Sequence, residues 1–94
     1  MSVPTLSPTA LPVTEFAEIL FTTTLQESER PALRLVRAEV RRCLDAHGGN
    51  CATRAAACIA QEAGDHPEQT ARRMRWALRM AHDVLDTAAL PVAC

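Results

Sequence analysis

Apolar positions recur at helical spacing in four segments after residue 13, which predicts an all-α fold, a small antiparallel helical bundle of about four helices. Thr14 is placed to cap a first helix over residues 15 to about 27, with Phe16, Ile19, Leu20 and Thr23 on one side. Glu15 and Glu18 suit the positive end of its dipole. Phe21 and Leu25 lie off that stripe, so this helix is apolar on two sides and is expected to be sandwiched between neighbours or used in a subunit contact. The run Thr22-Thr23-Thr24 weakens helicity and blurs its end.

Ser28-Glu29-Arg30-Pro31 reads as a break, with the proline opening a second helix that runs to about residue 47. At 100° per residue, Leu33, Val36, Val40, Cys43, Leu44 and His47 share one face, and a partly buried His47 imidazole is expected at the helix end. Gly48-Gly49-Asn50 supplies a C-cap followed by an N-cap. The third helix, residues 51–63, turns Ala52, Ala56, Ile59 and Ala63 inward and stops at Gly64. Asp65 and Glu68 form a capping-box pattern around Pro67, and the fourth helix runs to about residue 88. Its predicted inner stripe is Ala71, Met74, Ala77, Leu78, Ala81 and Leu85. Arg72, Arg75 and Arg79 face away, and Trp76, Met80 and Arg73 form a separate flank. The core expected from these four patterns is Phe16, Ile19, Leu20, Leu33, Val36, Val40, Leu44, Ile59, Met74, Leu78 and Leu85.

The ends read differently. Pro4, Pro8 and Pro12 mark residues 1–13 as a flexible arm without the spacing of a Pro-x-x-Pro ligand. Residues 14–90 form the single domain, and 91–94 a frayed end in which Cys94 is an exposed thiol. At 94 residues a monomer buries only a thin core, and the apolar content, 48% hydrophobic but 3% aromatic, is largely alanine. Such a chain gains from oligomerisation or from docking on a partner. All ten basic residues are arginine, set against eleven acidic ones. A net charge of -1 gives no global attraction for nucleic acid or for an acidic membrane. No run of eighteen apolar residues is present, and the N-terminus lacks the basic and apolar regions of a secretory signal. The expected setting is therefore cytoplasmic, with thiols reduced.

Chemistry concentrates in CLDAHGGNCATRAAAC, residues 43–58. Cys43 and His47 are one turn apart on one helix and Cys51 opens the next, so a zinc site can be drawn from Cys43, His47 and Cys51, completed by His66 or a partner. Cys58 lies roughly 10 Å from Cys51 along the helix, too far to share one tetrahedral ion. Cys43 and Cys51 can approach across the turn, but a cytoplasmic setting argues against a permanent disulfide. Cys51 in a first helical turn has the surroundings of an activated thiol, with His47 as the nearest base. The simplest reading makes Cys43 and Cys58 packing residues and leaves the protein without a cofactor. No phosphate loop, His-Glu-x-x-His pair or nucleophile elbow occurs, and no enzymatic activity is expected.

The stretch IAQEAGDHPEQTARRMRWALR, residues 59–79, resembles a bacterial helix-turn-helix reader, which implies DNA contacts from Arg72, Arg73, Arg75 and Arg79. It departs from that pattern at Thr70 and Arg73, where such a helix buries branched apolar residues. The layout over residues 32–83 is an Arg-rich helix, an Ala/Cys-rich helix, then a long helix reaching Ala-His-Asp. It resembles uncharacterised small helical proteins of actinomycetes encoded beside natural-product genes. That resemblance implies an accessory or scaffold role and assigns no catalytic residue. The expectation is a small helical protein-interaction or accessory protein, self-associating or bound to a larger protein, with Trp76, Met80, Arg73, Phe21 and Leu25 as the interface. A DNA reader and a zinc protein are the alternatives.

Overall fold

The computed structural model describes residues 11–89, with side chains described through residue 86. Most of the predicted arm and all of the predicted frayed end lie outside the described residues. Four helices follow in order: α1 (Val13–Phe21), α2 (Leu33–His47), α3 (Cys51–Asp65) and α4 (Pro67–Ala89), with no strand among the described residues. The fold is all-α, a small antiparallel helical bundle.

The first helix is shorter than its sequence pattern predicts. Pro12, not Thr14, stands at its start, and the Phe16 N–H donates to the Pro12 carbonyl at 3.0 Å. At the other end the Thr22 and Thr23 hydroxyls each donate at 2.7 Å to the carbonyls of Ile19 and Leu20. Their amides close on the same two oxygens at 3.0 Å. These β-branched residues thus satisfy locally the acceptors that a further helical turn would have used. The chain leaves α1 at Phe21 and makes a single 3-10 turn at Glu27–Glu29, where the Glu29 carboxylate accepts the Gln26 N–H at 2.8 Å.

Short as it is, α1 occupies the centre. Phe16, Ala17, Ile19, Leu20 and Phe21 are all buried, so the two apolar sides seen in the sequence are both covered within the chain. It touches each of the other helices, α4 most extensively, whereas α2 and α3 barely meet. From α2 come Val36, Val40 and Leu44, as the pattern predicts, with Leu33 and Cys43 at the margin. His47 departs from expectation: it is exposed at the helix end. There Gly48 takes a positive φ of 55° and its N–H returns to the Leu44 carbonyl, so a glycine satisfies the terminus without the imidazole.

The last two helices are both turned from their predicted phase. In α3, Cys51 and Ala55 are buried, while Ala56 and Ala63 are exposed and Ala52 and Ile59 lie half-buried at the edge. Only the 3-10 turn Gly48–Asn50 separates α2 from α3, and this short link sets the direction in which Cys51 enters. The helix also continues through Gly64 to Asp65, so Asp65 does not cap α4. His66 separates the two helices, its carbonyl accepting the Thr70 N–H at 2.9 Å, and Pro67 opens α4.

In α4 the buried residues are Thr70, Trp76, Ala77, Ala81 and Val84. Ala71 is exposed, Met74 and Leu78 pack on the margin of the core, and Leu85 is half-buried. The expected position of Trp76 outside the central stripe is therefore corrected. Its ring is 2% exposed and lies in the core. A helix carrying one large aromatic gains more by turning that ring inward than by burying another methionine or leucine fully.

The rotation of α4 generates a prediction. Val84→Ala removes fewer atoms than Leu85→Ala, yet it should cost more stability in urea unfolding, because Val84 is 3% exposed and Leu85 only half-buried. Trp76→Ala should cost about 3–5 kcal/mol. The reverse order for residues 84 and 85 would restore the phase expected from the sequence.

Candidate functional site

The most elaborate polar arrangement among the described residues is built on Arg73. Its Nε–H donates to the Phe21 carbonyl at 2.9 Å, one terminal nitrogen to Leu25 at 2.8 Å and the other to Thr23 at 2.8 Å. The guanidinium carbon sits 5.4 Å from the centre of the Phe21 ring and 5.1 Å from the Trp76 ring, so the planar cation is flanked by two aromatic side chains. Helix α1 has just ended and its successors fold back on themselves. These carbonyls would otherwise lack donors, and a planar fork with five N–H groups suits three acceptors in one arc. Burial pulls the Arg73 pKa below the ordinary guanidinium value, although an arginine remains charged.

A cleft of about 270 Å³ opens beside this clamp, with Thr22, Gln26, Cys58, Glu62, Gln69 and Thr70 among its lining residues. A second cavity, of about 260 Å³, is lined by Thr22, Cys43, His47, Cys51, Arg54, Ala55 and Cys58. Thr22 and Cys58 belong to both, so the two hollows adjoin along α3. The structure thus gathers the thiols and the histidine of the 43–58 stretch around one space. All three thiols are free: Cys51 is buried, Cys43 half-buried and Cys58 exposed.

Their electrostatics run against an activated nucleophile. Burial pushes the Cys43 thiol up, with Arg42 opposing it, and burial likewise pushes up Cys51. A thiolate at Cys43 raises Cys51 further, while Arg54 lowers it. Burial is the largest influence on both thiols, and a reactive cysteine needs the opposite balance.

The zinc set is not assembled. His66 stands beyond the far end of α3, about 20 Å from Cys51 by helix rise. Among the described residues no group of three or more His, Cys, Asp or Glu side chains is placed to hold a metal ion.

Of the residues expected at an interface, Phe21 and Trp76 are buried. Leu25 and Met80 pack partly buried against the core, and Arg73 is held by the chain's own carbonyls. The four arginines of the helix-turn-helix resemblance divide. Arg73 points inward, Arg79 pairs with Glu27 at 2.7 Å, and Arg72 and Arg75 are exposed. Sequence reasoning missed the inward Arg73 and the buried Thr70, while Thr23 is buried on the face of Phe16, Ile19 and Leu20, as its spacing predicts. The available signal was Arg73 one turn before Trp76, on the same flank of the helix.

Comparison with protein-family models, with curated proteins and with solved structures finds no match for this chain. The fold and the site together define an all-α bundle organised around an internal arginine clamp.

Two expectations follow from the clamp and the thiols. Arg73→Ala should destabilise the fold by about 2–4 kcal/mol, and Arg73→Lys should recover only a minor part of it, since an ammonium cannot span three carbonyls. Denaturant titration of the three proteins measures both. In native alkylation, Cys58 should react first, whereas Cys43 and Cys51 should need a pH above the ordinary thiol range. Mass mapping of the modified peptides checks that order.

Proposed function

We propose that this protein is a small helical interaction or accessory module that associates with a second copy or with a protein partner. The observation that carries the reading is the surface of α3. Only Cys51 and Ala55 of this 15-residue helix are buried, while Ala56, Ala57, Ala60 and Ala63 are exposed together on a face almost free of long side chains. Small side chains let two helix backbones approach closely, so such a face offers contact area at little cost in side-chain entropy. On α2, Leu35 is a large apolar side chain left 44% exposed. The contact surface in this reading is thus α3, and the Trp76 flank serves the interior.

No helix among the described residues is long and apolar enough to cross a membrane. DNA binding draws no support from the placement of Arg73 and Arg79, which are engaged within the chain.

The test is sedimentation over a concentration series, with Ala60→Glu as the probe. The native chain should associate with itself or with an added partner. A carboxylate in the centre of the alanine face should weaken that association tenfold or more while leaving helicity unchanged. Association that is indifferent to Ala60→Glu would remove α3 as the contact surface.

A further inference from the structure

We propose that the cavity between the end of α2 and the start of α3 is a dithiol site in which Cys43 and Cys51 are joined by exchange with a small oxidised disulfide of the glutathione type. The three thiols of this region lie on two helices, yet all of them line one space of about 260 Å³ with His47 and Arg54 at its wall. Cys51 and Cys58 stand seven residues apart on one helix, roughly 10 Å by helix rise, beyond the span of a disulfide. Cys43 enters from the other helix and borders the same hollow as Cys51, across the short Gly48–Asn50 turn. The α2 and α3 helices touch each other only slightly, so a local opening of this corner, which also uncovers the core residue Cys51, leaves the packing of α4 on α1 in place.

The chemistry balances as two exchanges. Cys43 is the more accessible of the pair; because burial holds its pKa up, it first gives its proton to solvent, which makes the step slow, and the resulting thiolate attacks one sulfur of the oxidised reagent. A mixed disulfide forms and one reduced thiolate leaves. The Cys51 thiolate then attacks the Cys43 sulfur, forming the internal bond and releasing the second reduced thiolate. Two protein thiols lose two protons and two electrons, and one disulfide of the reagent becomes two thiols. The product ties the last turns of α2 to the first residue of α3 across Gly48–Asn50. Cys58, exposed on the rim, takes only a reversible mixed disulfide.

The full chain equilibrated with glutathione at stepped oxidised-to-reduced ratios, then acid-quenched and cleaved after arginine, tests this directly. No arginine lies between Cys43 and Arg54, so both sulfurs fall in one peptide, and Cys58 falls in the next. The expected result is a 43–54 peptide lighter by two hydrogens, formed at a ratio at least tenfold more reducing in the folded protein than in urea. The same bond should form in Cys58→Ser, whereas Cys51→Ala should hold glutathione on Cys43. Cross-linking of 43–54 to the Cys58 peptide would overturn the assignment. So would a persistent adduct on Cys43 in the unmodified chain, or equal ratios with and without urea.

Discussion

The guanidinium of Arg73, donating to the carbonyls of Phe21, Thr23 and Leu25, is the interaction on which the rest of the bundle depends. A nine-residue helix at the centre of a small domain must end somewhere, and α1 ends at a half-buried corner, where Phe21 and Thr23 are buried while Thr22 and Thr24 are exposed. Carbonyls left there without donors would each cost of the order of 1–3 kcal/mol. The threonine hydroxyls deal with Ile19 and Leu20, and the arginine fork deals with Phe21, Thr23 and Leu25, from a helix some fifty residues further along the chain. One side chain therefore joins the termination of α1 to the rotation of α4. The Phe21 and Trp76 rings beside it help offset the desolvation of the cation.

That rotation has consequences outward. With Arg73 inward, Trp76, Ala77, Ala81 and Val84 follow it into the core, and Met74, Leu78 and Leu85 are left at the margin. The volume beside α1 is then filled by large side chains from α1 and α4, and α3 needs to contribute no more than Cys51 and Ala55. Its alanine face turns to solvent, which is the feature that supports an interaction role. The same arrangement leaves hollows on either side of Thr22 and Cys58, bringing the thiols of two helices around one of them.

The legible parts of the fold were those in which large aliphatic residues repeat without competition. Val36, Val40 and Leu44 admit one face, and Phe16, Ile19 and Leu20 likewise, so α1 and α2 were oriented correctly from spacing alone. The end of α1 was foreshadowed by its threonine run but not located, because it depends on which threonine hydroxyls donate to the last carbonyls. In α4 two stripes compete, one through Ala71, Met74 and Leu78 and one through Thr70, Arg73 and Trp76, with Ala77 and Ala81 common to both. Placing every arginine in solvent selects the wrong one. In α3 the alanines surround so much of the helix that hydrophobic spacing hardly distinguishes one face from its neighbour. The candidate site divides in the same way. Proximity of Cys43, His47 and Cys51 was readable from the Gly-Gly turn, whereas the clamp depends on contacts between residues about fifty apart, which no local pattern encodes.

The central claim is that a charged side chain, held by backbone carbonyls between two rings, sets how α4 sits on α1. Nuclear magnetic resonance of the arginine side chains reports on it directly. One arginine Nε–H, assigned to residue 73, should stand apart from the other nine, shifted by ring currents, slow to exchange with water, and showing cross-relaxation to both the Phe21 and Trp76 ring protons. A residue 73 Nε–H that exchanges as fast as the solvent-exposed arginines and shows no contact with either ring would contradict the account.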